Sequence, residues 1–176
     1  MGGGNRDRHG RICSRASIFS VDPDAFQHEF DRYVTAALDV ADRSLDVRDE
    51  ERELIKLVDL IRREPSHVDQ ADLALAAMVP QLCETPPPAG LVELLSYIVH
   101  ALGLPKIVAA ARDAREAALS SLGPGPSLRP REYARRCEVV VAAAEPDWEE
   151  RDMYVSFSLQ PRRDARSSLA SYRMVA

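Results

Sequence analysis

Apolar side chains recur at steps of three and four residues along most of this chain, and that spacing selects amphipathic helices over other regular structure. Phe26, Phe30, Val34, Ala37 and Leu38 form the first such set, with Asp22 and Pro23 placed as cap and first helical residue. This helix is expected to end near Asp42. Leu54, Leu57, Val58 and Ile61 form the second, over Val47 to Arg63. Acids at 49–51 open that helix and Arg62 and Arg63 close it, the order its dipole favours. A third helix is expected after Pro65, with Val68, Leu73, Ala76 and Ala77 on one side and a break at Pro80.

Leu91 to Leu102 is apolar around most of its circumference, which predicts a central, buried helix. A fifth helix starts at Pro105, facing inward with Ile107, Ala111, Ala114, Ala118 and Leu122, and stops at Gly123-Pro124-Gly125-Pro126. A sixth starts near Pro130 with Tyr133, Cys137, Val140, Val141 and Ala144 inward. From Asp147 to Leu159 two patterns compete. Met153, Val155, Phe157 and Leu159 alternate as in a strand, while the charged first turn suits a helix. No second strand-like run offers a partner, so helix is the expectation. The fold class is therefore all-α, with about seven helices packed as antiparallel hairpins. Aromatics make up only 6% of the chain, so the core is aliphatic.

Pro23, Pro65, Pro105 and Pro146 are spaced by 42, 40 and 41 residues, each at a predicted helix start. In this period and in the proline at helix starts, residues 22–160 resemble the HEAT and armadillo class of α-helical repeats. The resemblance implies a short α-solenoid, in which stacked hairpins bury apolar faces that one pair alone leaves open. The alternative is an irregular helical bundle.

Charge divides the chain into three parts. Residues 1–20 carry Arg6, Arg8, Arg11 and Arg15 against Asp7. Residues 161–176 carry Arg162, Arg163, Arg166 and Arg173 against Asp164. Each end is +3, so with a total of −5 the residues between them, 21–160, carry −11. The expected organisation is a disordered lead over 1–20, one helical domain over 21–160, and a basic tail over 161–176. An acidic body repels nucleic acid and attracts basic partners. No run is long and apolar enough to span a membrane, and residues 1–20 lack the hydrophobic stretch expected of a secretion signal. Three widely spaced cysteines, Cys13, Cys83 and Cys137, suggest a reduced cytoplasm, with Cys83 and Cys137 as small apolar side chains in or near the core. Arginine greatly outnumbers lysine (only Lys56 and Lys106), a bias suggesting a GC-rich, bacterial genome.

Few residues point to chemistry. Glu93, Ser96 and His100 fall at helical steps on the fourth helix, with Tyr97 beside them. As a site, His100 is the base, Ser96 the nucleophile and Glu93 an accessory carboxylate. As structure, the same stripe is a solvated face or a satisfied buried network. Trp148, the sole tryptophan, stands among Asp147, Glu149, Glu150 and Asp152. That setting predicts partial exposure and an interface anchor, or else a staple between the last helices. His28-Glu29 and His67-Val68-Asp69 lack metal-ligand spacing, and there is no CxxC, calcium loop, phosphate loop or GxSxG elbow. Neither metal nor cofactor is expected. The basic run Arg129, Arg131, Arg135, Arg136 is diluted by Glu132 and Glu138 and reads as a solvated helix face. Function is expected to be non-catalytic: an acidic helical interaction module, adaptor or immunity-type inhibitor, for a basic protein partner. A small hydrolase or transferase using the His/Ser/Glu stripe, and a nucleic-acid-associated regulator using the basic tails, are the alternatives.

Overall fold

A computed structural model describes residues 23–44, 46–122 and 128–158. The lead over 1–20, the cap at Asp22, Cys13, the Gly-Pro run 123–126 and the tail over 161–176 lie outside the described residues. Among the described residues the fold is all-α. Its helices are α1 (Pro23–Arg43), α2 (Val47–Arg63), α3 (Val68–Ala76), α4 (Leu91–Leu102), α5 (Pro105–Ser120), α6 (Leu128–Ala142) and α7 (Val155–Ser158). Single 3-10 turns stand at Pro65–His67, Val79–Cys83 and Glu149–Met153. None of these helices is long and apolar enough to cross a membrane.

The periodic residues are those that pack. Phe26, Phe30, Val34 and Ala37 bury the inner face of α1 against α2. Leu54, Leu57, Val58 and Ile61 bury the inner face of α2. Asp46 caps α2, its carboxylate accepting the Arg48 N–H at 3.0 Å. In α4 every residue from Leu94 to Val99 is buried, so neighbours surround this helix, as its sequence required. α2 and α6 both pack on α4, while α3 packs on α5 and α5 on α6. Each fully buried leucine of α4 contributes roughly 1.5–3 kcal/mol through area removed from water.

Two glycines fix the ends of α4. Gly90 (φ 71) and Gly103 (φ 66) are left-handed, a conformation that strains any other L-residue. At Gly90 there is also no room, since a Cβ would collide with the Ala41 Cβ of α1. α1 therefore lies directly on the start of α4.

The start of α5 is secured from a distance. Its preceding residue, Leu104, offers no side-chain cap, and Pro105 lacks an N–H. Asp72 of α3 supplies the acceptor: its two carboxylate oxygens take the N–H groups of Lys106 and Ile107, both at 3.0 Å. This carboxylate is 1% exposed, and its contacts set the rotation of α3. Ala71 and Leu75 accordingly face the core, and Leu73, expected inside, is 63% exposed. Cys83 also departs from expectation. It ends a 3-10 turn and is exposed, whereas Cys137 is buried.

From 147 to 158 the chain forms neither a strand nor one continuous helix. The 3-10 turn at Glu149–Met153 precedes the single-turn α7. Pro146 sits in a turn rather than at the first position of an α-helix.

Replacing Asp72 with Ala leaves two buried N–H groups without their acceptor. The expected loss is roughly 2–3 kcal/mol, or about 4–12 °C in Tm. Asp69→Ala is the control, because its side chain is 93% exposed and pairs only with the Lys106 ammonium and makes no cap. Urea unfolding of both variants checks this; equal midpoints would remove the remote cap from the account of α5.

Candidate functional site

Three of the five residues singled out by sequence, Tyr97, His100 and Trp148, meet where the segment 143–158 lies on α4. Tyr97 packs edge-on against Tyr154 at 4.9 Å between ring centroids, and against Phe157 at 4.6 Å. His100 lies 5.2 Å from Trp148 and 4.8 Å from Phe157. Such ring pairs add to the area they bury. Four of the chain's ten Phe, Tyr and Trp residues gather in this cluster.

Hydrogen bonds fix the cluster. The Tyr97 hydroxyl meets the Ser156 hydroxyl at 2.8 Å. His100 Nδ1 lies 3.0 Å from the Ala143 carbonyl oxygen. A carbonyl only accepts, so Nδ1 carries the proton and donates it there. Buried Arg151 spans the segment, donating to the Pro146 carbonyl at 3.3 Å and the Phe157 carbonyl at 3.0 Å. Burial pushes the Tyr97 phenol above its ordinary pKa, which keeps it neutral.

The tightest polar contact comes from α2. Glu51, 4% exposed, accepts the N–H of Ser156 at 2.7 Å through one oxygen and that of Val155 at 3.0 Å through the other. It caps α7 as Asp72 caps α5. Charge-assisted bonds of this kind are about twice as strong as neutral ones.

Of the two readings of Glu93, Ser96 and His100, the nucleophile–base one finds no hydrogen bond between Ser96 and His100. Ser96 is buried, and its hydroxyl has no hydrogen-bond partner among the described residues. His100 has committed Nδ1 to a backbone carbonyl. Glu93 is exposed, and its electrostatic neighbour is another acid, Glu50. Trp148 is 5% exposed instead of partly open: its ring joins His100 and Tyr154, while Asp147, Glu149 and Asp152 around it face solvent. It ties the segment to α4 through His100, where the sequence suggested an anchor or a staple onto the preceding helix. His67 is likewise a packing residue, stacked on Phe26 at 4.6 Å. Among the described residues no three His, Cys, Asp or Glu side chains gather as a metal site.

Sequence reasoning missed Glu50 and Glu51, reading them as dipole-friendly acids of a first turn. A signal was present. Both continue the apolar stripe of α2 backward, since Glu50 stands four residues before Leu54 and Glu51 seven before Val58. Acids in register with a buried face must bond, or hold a proton. Glu51 does the first. Glu50 is 8% exposed, with one carboxylate oxygen unpartnered among the described residues and close to Gly90. Burial first, and the charge of Glu93 second, push its pKa from 4.5 up to about 7.

Two outcomes are expected. A raised carboxyl pKa favours the folded state while the group is protonated, and that advantage disappears as pH rises from 4.5 to about 7. Glu50→Gln therefore gains stability over the parent progressively across that window and by a constant margin above it. Denaturant unfolding at several pH values reads this, and parallel stability curves would refute it. Glu51→Ala frees the amides of Val155 and Ser156, at roughly 2–3 kcal/mol. The emission of the sole tryptophan should shift to the red and exchange at those two amides should accelerate, while helical circular dichroism changes little. Unaltered emission would mean that Glu51 does not hold the segment.

Comparison with protein-family models, curated proteins and solved structures finds no match for this chain.

Proposed function

We propose that this protein is a non-catalytic protein-interaction module whose partner presents apolar side chains flanked by Lys and Arg. One observation carries the reading: buried Glu51, between exposed Val47 and Ile55 on α2, binds the amide of exposed Val155. Val47, Glu51 and Ile55 lie on one line of α2 at steps of four, and Glu51 draws Val155 alongside. Val47 is 36% exposed, Ile55 38%, Met153 54% and Val155 47%. Scattered exposed apolar residues are ordinary; what supports the reading is that one buried carboxylate ties the α2 pair to the segment carrying Met153 and Val155.

The charge around this face favours a basic partner. Glu145, Asp147, Glu149 and Asp152 are all exposed on the segment that carries Met153 and Val155. The −11 of residues 21–160 supplies a longer-range field, which speeds encounter with basic surfaces and disfavours nucleic acid. Order of packing supports a short stack of helical hairpins of the HEAT kind. α2, α4 and α6 touch in succession, and α3 touches α5. Stacked hairpins of this kind present extended surfaces to partners.

A photo-crosslinking residue placed at Met153, with a second chain carrying it at exposed Leu73 as control, tests the face in cells. A discrete protein adduct from position 153 and none from 73 is expected. The adduct should fall at least tenfold in an Ile55→Asp, Val155→Asp background, since hot-spot residues carry most of the binding energy. An adduct that survives those two substitutions, or no adduct at all, would count against the interaction reading.

A further inference from the structure

The outer surface of α2 changes sign toward its C-terminal end. Lys56, Asp59, Arg62 and Arg63, with Tyr33 of α1, line an open depression of about 420 Å³. Arg32 lies over the Tyr33 ring, 4.8 Å from its centroid, and so borders the same place. In a domain of net negative charge, three of the five lining side chains are cations and one is an anion.

How these cations are bonded decides what they can still do. Lys56 pairs with Glu53 at 2.7 Å, and Arg32 with Glu29 at 3.3 Å. Arg62 donates to the Ala101 carbonyl at 3.2 Å, and Arg63 donates its Nε–H to the Asp59 carbonyl at 3.2 Å. Among the described residues neither guanidinium makes an ion pair. A guanidinium has five N–H donors. Each of these two has one engaged with a backbone carbonyl, which steadies the side chain, and keeps the rest of its fork for a ligand. Basic residues in a last turn also offset the helix dipole. That role asks for positive charge alone. It does not require two forks and an aromatic ring around one depression.

We infer that this depression is an anion site for a phosphate dianion, free or as a monoester, held by the forks of Arg62 and Arg63 with Lys56 as a point charge and Tyr33 as a hydroxyl donor and ring wall. Guanidinium forks match paired phosphate oxygens in geometry, which an ammonium does not. Asp59 and the carbonyl end of α2 oppose an anion. The Glu53 carboxylate on Lys56 opposes it too, so the opposing charge is two full units plus roughly half a unit from the dipole, against three on the cations. A dianion gains about twice what a carboxylate gains from the same surplus. The depression is open to water, so binding is weak and screened by salt over a Debye length of about 8 Å. A Kd on the order of 1 mM is expected. The inference stands apart from the partner face, because none of its lining residues belongs to that face.

The test is a titration of the full ¹⁵N-labelled chain with inorganic phosphate and, separately, with O-phosphoserine, at constant ionic strength. Saturable shifts are expected at Tyr33, Lys56, Arg62 and Arg63. Arg62→Gln with Arg63→Gln should weaken binding at least tenfold while the remaining amide spectrum keeps its fold. Arg62→Lys with Arg63→Lys keeps the charge without the fork and should fall between. Arg129→Gln with Arg131→Gln, exposed on α6, should change nothing. Equal affinity for both probes assigns the site to free phosphate; tenfold preference for phosphoserine assigns it to a phosphorylated partner. Shifts that stay linear and spread over all arginines, or a titration unaltered by the Gln pair, would overturn the inference.

Discussion

A helix begins with backbone N–H groups that have no acceptor within it, and this fold answers that constraint twice with a carboxylate taken from another helix. Asp72 of α3 holds the start of α5, and Glu51 of α2 holds the start of α7. In both cases the two oxygens of one acid take two successive amides. The acid is buried, so the pairing is strong, and its burial is tolerable only because the pairing exists. Apolar packing presses the helices together without fixing their rotation about their axes. These two contacts fix it, for α3 and for the 143–158 segment.

Much of the helical architecture was legible from spacing alone, because a buried face repeats at the helical period whatever it packs against. α2, α4 and α5 stand where their apolar residues and their proline or glycine boundaries put them. The errors share a cause. Leu73 was placed inside because it is apolar, yet Asp72 has the stronger claim on the core through its two amide contacts, and it turns Leu73 outward. The segment after Ala143 was hard to read because its residues serve a clamp rather than a period: Tyr154 and Phe157 go to Tyr97, Ser156 to Glu51, and Val155 to solvent. Alternation there reflects a 3-10 turn running into one turn of helix.

The candidate site was legible as a location and not as a role. Tyr97, His100 and Trp148 meet, as polar and aromatic residues on a buried helix must meet something, and what they meet is the covering segment. Spacing cannot separate a nucleophile–base pair from a packing contact, since both need the same side chains a turn apart. The decisive facts are three-dimensional: a carbonyl opposite His100 Nδ1, and no partner for the Ser96 hydroxyl among the described residues.

Glu50 and Glu51 are neighbours in sequence with opposite energetics, and the difference shows what the α2 junction is built to do. Glu51 finds two donors. Glu50 finds a wall, because Gly90 and Ala41 bring α1 and α4 together over it, and Glu93 adds charge of the same sign. A chain selected for stability alone would place Gln or an apolar residue at 50. A carboxyl near neutrality at the meeting of α1, α2 and α4 instead makes the junction's stability depend on pH in the range about 4.5 to 7, with the junction firmer on the acid side. α2 also carries the exposed apolar line and the arginine forks. Glu51, one residue on, keeps the clamped segment in place through its two amide contacts.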